Sequence, residues 1–170
     1  KRQAVQKAIL VGHSDGGSIA LLYAAQFPHK VSALVSVAAH IYVEEITSQH
    51  VDEIYQQFTH NARLRHALER RHGAKTAHLM QSWAKAWLPP EYQGWHLRDY
   101  LPRIACPVLV VQGTADSSAT AAQPQEIVQS IPNAQLWLAE GAGHMLVQEL
   151  GARFTVQLLA FLAETDRAAA

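Results

Sequence analysis

The chain has 170 residues, of which 49% are hydrophobic and 16% charged, with Lys plus Arg and Asp plus Glu balanced at 14 each. That length and mix describe a folded domain with a real core and exclude a disordered segment. With no net charge to draw it to nucleic acid or to an anionic membrane surface, neither is expected as a partner.

The first element expected is a short buried strand, Ala8 to Val11, closed by Gly12. "KRQAVQKA" ahead of it is basic but lacks the apolar region and cleavage site of a signal peptide, so a cytoplasmic location is expected. Gly17 to Gln26 is rich in Ala, Leu and Ile and stops at Phe27-Pro28, the pattern of a buried helix. "KVSALVSVAA", Lys30 to Ala39, reads as a second strand. Ile41 to Trp95 changes character: Glu, Gln, His, Arg and Trp at helical spacing, with no strand signal, until "LPPEYQGW" interrupts it. "PVLVVQG" (Pro107 to Gly113) is a third strand, "AAQPQEIVQSI" a helix and "AQLWLAE" (Ala134 to Glu140) a fourth strand. After the "GAGH" loop, Val147 to Ala163 reads as the last helix, and "TDRAAA" as a frayed tail. Strands alternating with helices imply a parallel sheet with right-handed crossovers. The expectation is therefore an α/β fold of about four parallel strands. Residues 1–40 and 97–170 form its core, and residues 41–96 are a helical insertion.

Gly12-His13-Ser14-Asp15-Gly16 fits G-x-S-x-G between a strand and a helix. A serine there stands on a sharp, strained turn at the C-terminal end of the sheet, where open α/β sheets bind ligands. Glycines two before and two after leave room for strand and helix to approach. The helix N-terminus points at the site, and the Asp15 N–H can meet a developing oxyanion. A serine needs a base, and the base needs an orienting carboxylate. Asp116 follows the third strand and His144 the fourth, so both fall at the same sheet edge as Ser14. Ser14, Asp116 and His144 are the candidate catalytic residues.

"LVGHSDGGSIALLYA", "CPVLVVQGTAD" and "AEGAGHMLVQE" resemble the nucleophile elbow, acid loop and histidine loop of the α/β-hydrolase superfamily. "SDGG" is similar to the valacyclovir hydrolase-like (biphenyl hydrolase-like) branch. The resemblance implies a serine hydrolase working through an acyl-enzyme. Ser14 would be the nucleophile, His144 the general base and acid, and Asp116 the residue holding the imidazole tautomer. It covers what corresponds to the second half of such a protein. The expectation is a fragment without the first four strands and without the loop that donates the second oxyanion N–H. Its exposed first strand would then favour self-association.

The expected function is hydrolysis of carboxylic esters of small or medium size. The same residues also serve amide, thioester and carbon–carbon hydrolysis and perhydrolysis. The alternative is a non-catalytic binding module or an inactive shortened form. No metal or organic cofactor is expected. His60, His66, His72 and His78 recur every six residues, which places neighbours about 120° apart on a helix, wrong for a metal pair. The insertion resembles a cap that selects substrate. His13, Asp15, His40, Trp83 and Trp87 are the candidate substrate-binding residues, with Tyr92 and Trp95 beside the tryptophans. Asp15, next to the nucleophile, suits a cationic group on the substrate. Cys106 reads as a small buried filler.

Overall fold

The computed structural model describes residues 6–88 and 94–169. The interrupting segment "LPPEYQGW" therefore lies largely outside the described residues, and so does Tyr92. Four strands, β1 (Ala8–His13), β2 (Val31–Val37), β3 (Val108–Gly113) and β4 (Ala134–Ala139), form one sheet in the order β1-β2-β3-β4. Every neighbouring pair is parallel, as an alternation of strands and helices requires. The helices are α1 (Asp15–Gln26), α2 (Glu45–His60), α3 (Ala62–His72), α4 (Thr76–Trp87), α5 (Ala122–Ser130), α6 (Leu146–Leu150) and α7 (Ala152–Ala169).

The described residues fall into two compact units. One lies within Lys1–Ile41 and His96–Ala170, the other within Tyr42–Trp95. The second unit holds α2, α3 and α4. Asn61 heads α3, its side-chain carbonyl accepting the N–H groups of Arg63 and Leu64. Ser48 on α2 donates to the Trp87 carbonyl at the end of α4.

In the first unit both faces of the two central strands are covered, which is why β2 and β3 are nearly continuous apolar runs. Ala33, Val35 and Val37 of β2 and Leu109 and Val111 of β3 bury one face against Leu146, Phe154 and Phe161 of α6 and α7. Helix α1 packs on β1 and β2. The single helix expected over Val147 to Ala163 is broken at Gly151, whose φ of 51° is the left-handed conformation that glycine tolerates. The tail expected to fray continues α7 as far as Ala169. Ala, Glu and Arg are strong helix formers, and Phe161 in the same helix anchors it to the core.

At the end of β1 the chain turns directly into α1 through Ser14, with φ 54° and ψ −125°. Gly12 makes the turn possible: a Cβ there would sit 2.2 Å from the Gly16 carbonyl oxygen. The second steric demand falls on Gly17, not Gly16. A Cβ at Gly17 would stand 2.8 Å from Ala39 Cβ, whereas one at Gly16 would meet nothing within 4 Å. The motif's last glycine is therefore free to change, and the one after it is not. Substituting Gly12 with Ala is expected to cost at least about 3 kcal/mol through forced separation of strand and helix. Gly16→Ala should be neutral or stabilise by up to about 1 kcal/mol, because it removes a glycine from a helix. Urea unfolding of the two variants should show midpoints displaced in opposite directions or, at the least, a loss confined to Gly12→Ala.

Candidate active site

Three loops at the C-terminal ends of β1, β3 and β4 meet in the first unit. The Ser14 amide donates to the Val37 carbonyl at 2.8 Å, tying the strained turn to the end of β2. Its side chain then rises from the head of α1. Asp116 follows β3, and its amide donates back to the Gly113 carbonyl. His144 lies in the loop between β4 and α6.

The acid and histidine loops are joined by hydrogen bonds from backbone N–H groups. Ala115 N–H donates to the Ala142 carbonyl at 2.9 Å, and Gly141 N–H to Thr114 Oγ1 at 2.8 Å. Gly113 lets them approach, since a Cβ there would lie 2.2 Å from the Ala142 oxygen. The Glu149 carboxylate accepts Gly143 N–H at 2.7 Å from the start of the next helix.

The expected site residues Ser14, Asp116 and His144 come together. Ser14 Oγ is 3.0 Å from His144 Nε2, and His144 Nδ1 is 2.9 Å from Asp116 Oδ2. Asp116 is buried, its side chain 1% exposed. Burial alone would raise its pKa. Hydrogen bonds from His144 and from the amide and hydroxyl of Ser118 outweigh that and hold the carboxyl well below the usual carboxylate range. It remains an anion, able to keep the imidazole's Nδ1 protonated and Nε2 open towards the serine. Asp15 begins α1, and the first N–H groups of a helix have no acceptor within it. Its amide is thus available to a negative charge forming beside Ser14.

The residues expected at the substrate fall in different places. His13 is half-buried; its Nε2–H donates to the His144 carbonyl at 2.8 Å, and the two rings lie 5.0 Å apart. Asp15 is half-buried beside Ser14. His40 is 4% exposed and donates from Nε2 to the Ser118 carbonyl at 3.1 Å, so its ring is turned to the acid loop. Burial lowers its pKa, and nearby His144 adds to the effect despite the bond to Ser118, leaving it neutral. Trp83 and Trp87 lie half-buried on α4 of the helical unit, Trp87 edge-on to Trp95 with centroids 5.9 Å apart. His60 ends α2, His66 and His72 lie on α3, and His78 lies on α4, so the regular six-residue spacing spans three helices. Cys106 is buried, and desolvation pushes its thiol pKa up, away from reactivity.

Two supporting side chains escaped the sequence reading. Gln112, 2% exposed in β3, donates to Asp116 Oδ2 at 2.7 Å. Ser118, 3% exposed, donates from both N and Oγ to Asp116 Oδ1, at 2.8 and 2.7 Å. A glutamine inside "VLVVQG", an otherwise apolar buried strand, was the available signal, because a buried amide requires a partner.

Comparison with known proteins agrees with this architecture. A family model described as the alpha/beta hydrolase family matches residues 2–156. Human serine hydrolase BPHL is 29% identical over 151 residues, which cover 83% of this chain and 50% of that protein. The chain thus spans half the length of this relative. Polyketide synthase ThaQ of Burkholderia thailandensis is 46% identical over 69 residues, 41% of this chain and 3% of the synthase. Among solved structures, a serine hydrolase involved in carbazole degradation (CarC) superposes with a TM-score of 0.73 at 17% identity, over 95% of this chain and 66% of that one. Among the described residues no helix is long and apolar enough to cross a membrane. With the family model spanning most of its length, and a parallel sheet carrying a serine on the turn after its first strand, the chain belongs to the alpha/beta hydrolase family.

Proposed function

We propose that the protein is a serine hydrolase that cleaves carboxylic esters of small to medium size through an acyl-enzyme. The observation carrying this reading is the continuous series Ser14 Oγ–His144 Nε2 at 3.0 Å and His144 Nδ1–Asp116 Oδ2 at 2.9 Å. His144 takes the Ser14 proton as Oγ attacks the carbonyl carbon. The tetrahedral oxyanion forms against the Asp15 N–H at the head of α1. His144 then passes the proton to the departing alcohol, leaving an ester on Ser14. A water molecule, deprotonated by the same imidazole, hydrolyses that ester and restores the serine. Neither metal nor organic cofactor is needed for these steps.

The proposal includes a second oxyanion donor outside these 170 residues, with the chain as the C-terminal part of a longer hydrolase. Two facts support it. The chain spans half of human BPHL. Ile9 and Val11 of β1, in register with buried Ala33 and Val35, are 47% and 54% exposed. Left alone, such an edge strand favours self-association. Substrate choice is assigned to Asp15 and His13 beside the serine.

A fluorophosphonate probe tests the reading against a non-catalytic binding module. The native protein should be labelled at Ser14, and Ser14→Ala should abolish labelling. His144→Ala should lower ester turnover by at least about a thousandfold. No labelling of the native protein at Ser14 would favour the binding module.

A second reading is favoured by the 46% identity to a segment of polyketide synthase ThaQ. It makes the substrate an acyl thioester, with the same serine chemistry. Oxygen esters and N-acetylcysteamine thioesters of equal acyl length separate the two. The ester reading expects kcat/KM for the oxygen ester to equal or exceed that for the thioester, and a thioester preference above tenfold would reverse it. In the same panel Asp15→Ala should lose at least about tenfold more on amino-acyl than on neutral esters, roughly 1.4 kcal/mol of selective binding. Equal losses would remove Asp15 as a cation contact.

A further inference from the structure

Ser118 stands between the acid and the base. Its hydroxyl oxygen is 2.7 Å from Asp116 Oδ1 and 2.8 Å from His144 Nδ1. The hydroxyl has one hydrogen. Asp116, held as an anion, is a pure acceptor and takes it. The hydroxyl lone pairs then face the Nδ1–H of His144. That proton is shared between Asp116 Oδ2 at 2.9 Å and Ser118 Oγ at 2.8 Å.

The placement of Ser118 is fixed from behind. Its amide donates to Asp116 Oδ1 at 2.8 Å, and its carbonyl accepts His40 Nε2–H at 3.1 Å. His40 is in turn anchored to α1: Ser18 Oγ donates to the His40 carbonyl at 2.6 Å and lies 3.2 Å from the His40 amide. Ser18 follows the nucleophile by one helical turn. One chain of bonds therefore runs from the nucleophile's helix through His40 and Ser118 to both the acid and the base.

We infer that Ser118 is a positioning residue, a second acceptor for His144 Nδ1–H that holds the imidazole in the same tautomer as Asp116 does. His40 holds Ser118. The inference rests on the hydrolase reading for its kinetic consequence only. Its structural content, which nitrogen of His144 carries the proton and what accepts it, stands apart from any substrate. When an acid is the sole holder of the tautomer, its replacement by an amide costs about 10⁴-fold in turnover. With Ser118 in place, truncating Asp116 to Ala leaves an acceptor behind.

The test is proton and nitrogen NMR of the full chain labelled with ¹⁵N-histidine, on the wild type, Ser118→Ala, Asp116→Ala and the double variant. In the wild type His144 should be Nδ1-protonated. Ser118→Ala should move the Nδ1 proton downfield, because the whole bond then falls on a carboxylate that has also lost a donor. Asp116→Ala should keep the Nδ1–H tautomer, and the double variant should shift towards Nε2–H. An Nδ1 proton unmoved in Ser118→Ala would overturn the inference, as would Asp116→Ala and the double variant showing the same tautomer. If Asp116→Ala does not fold, the Ser118→Ala resonance decides alone.

Kinetics supply the second readout. Ser118→Ala should lower kcat three- to tenfold with KM unchanged in the wild-type background. In the Asp116→Ala background the same change should cost more than tenfold. Equal losses in both backgrounds would overturn the inference. A wild type that turns over no ester would count against the hydrolase reading, and the tautomer measurements would still decide the role of Ser118.

Discussion

The close approach of β1 and α1 at Gly12 is the constraint on which the site depends. With the Gly16 carbonyl only 2.2 Å from where a Gly12 Cβ would be, strand and helix are nearly in backbone contact. No gradual turn fits between them, so Ser14 alone absorbs the reversal with a positive φ. A non-glycine residue there costs on the order of 1–3 kcal/mol and persists only where its surroundings over-determine it. Here they do. Ser14 N–H is bonded to Val37 O, the Ser14 carbonyl accepts Gly17 N–H at 2.8 Å, and Gly17 is pressed against Ala39. The strain fixes the direction of Oγ in advance, so in the proposed reaction its orientation adds no cost to the attack.

A buried carboxylate poses the opposite problem. An unpaired charge at the position of Asp116 would neutralise itself by taking up a proton. Four donors prevent this: Gln112 Nε2 and His144 Nδ1 on one oxygen, the amide and hydroxyl of Ser118 on the other. Three of the four come from within four residues of Asp116, so the acid is stabilised by its own strand end and loop. Only His144 arrives from elsewhere in the chain. The bonds from Ala115 N–H to the Ala142 carbonyl and from Gly141 N–H to Thr114 Oγ1 bring it there, and Gly113 gives those loops the space to pair.

These two solutions differ in how visible they are in the sequence. Ser14, Asp116 and His144 were legible because each follows an apolar strand, and parallel strands deliver their C-terminal ends to one edge. The sheet itself was legible for the same reason. Ser118, Ser18 and the orientation of His40 were not, because a side-chain hydrogen bond across 22 or 78 residues leaves no periodicity behind. Gly16 and Gly17 were misassigned between themselves: the motif spacing singles out Gly16, while packing against Ala39 depends on where β2 ends. The break in the last helix at Gly151 was missed because the apolar spacing from Val147 to Phe161 runs on through it. Periodicity reports which face is buried, and it stays in phase across a tight turn that keeps both pieces on the same core.

The strained turn also sits at the least supported place in the sheet. Among the described strands, β1 pairs with β2 alone, while β2 and β3 have a neighbour on each side. Its residues Ile9 and Val11 share a face with Ala33 and Val35 yet remain half in solvent. On the same strand's other side, Ile19, Tyr23 and Phe27 of α1 are 67%, 42% and 48% exposed. The turn at Ser14 is thus over-determined from the β2 side and open on the other. A strained conformation is only as rigid as the elements that enforce it. A segment covering β1 and α1, as the proposed longer hydrolase would supply, would act on Ser14 directly, by keeping Gly12 and Gly16 pressed together. In this family member, covering apolar surface and orienting Ser14 are one physical task.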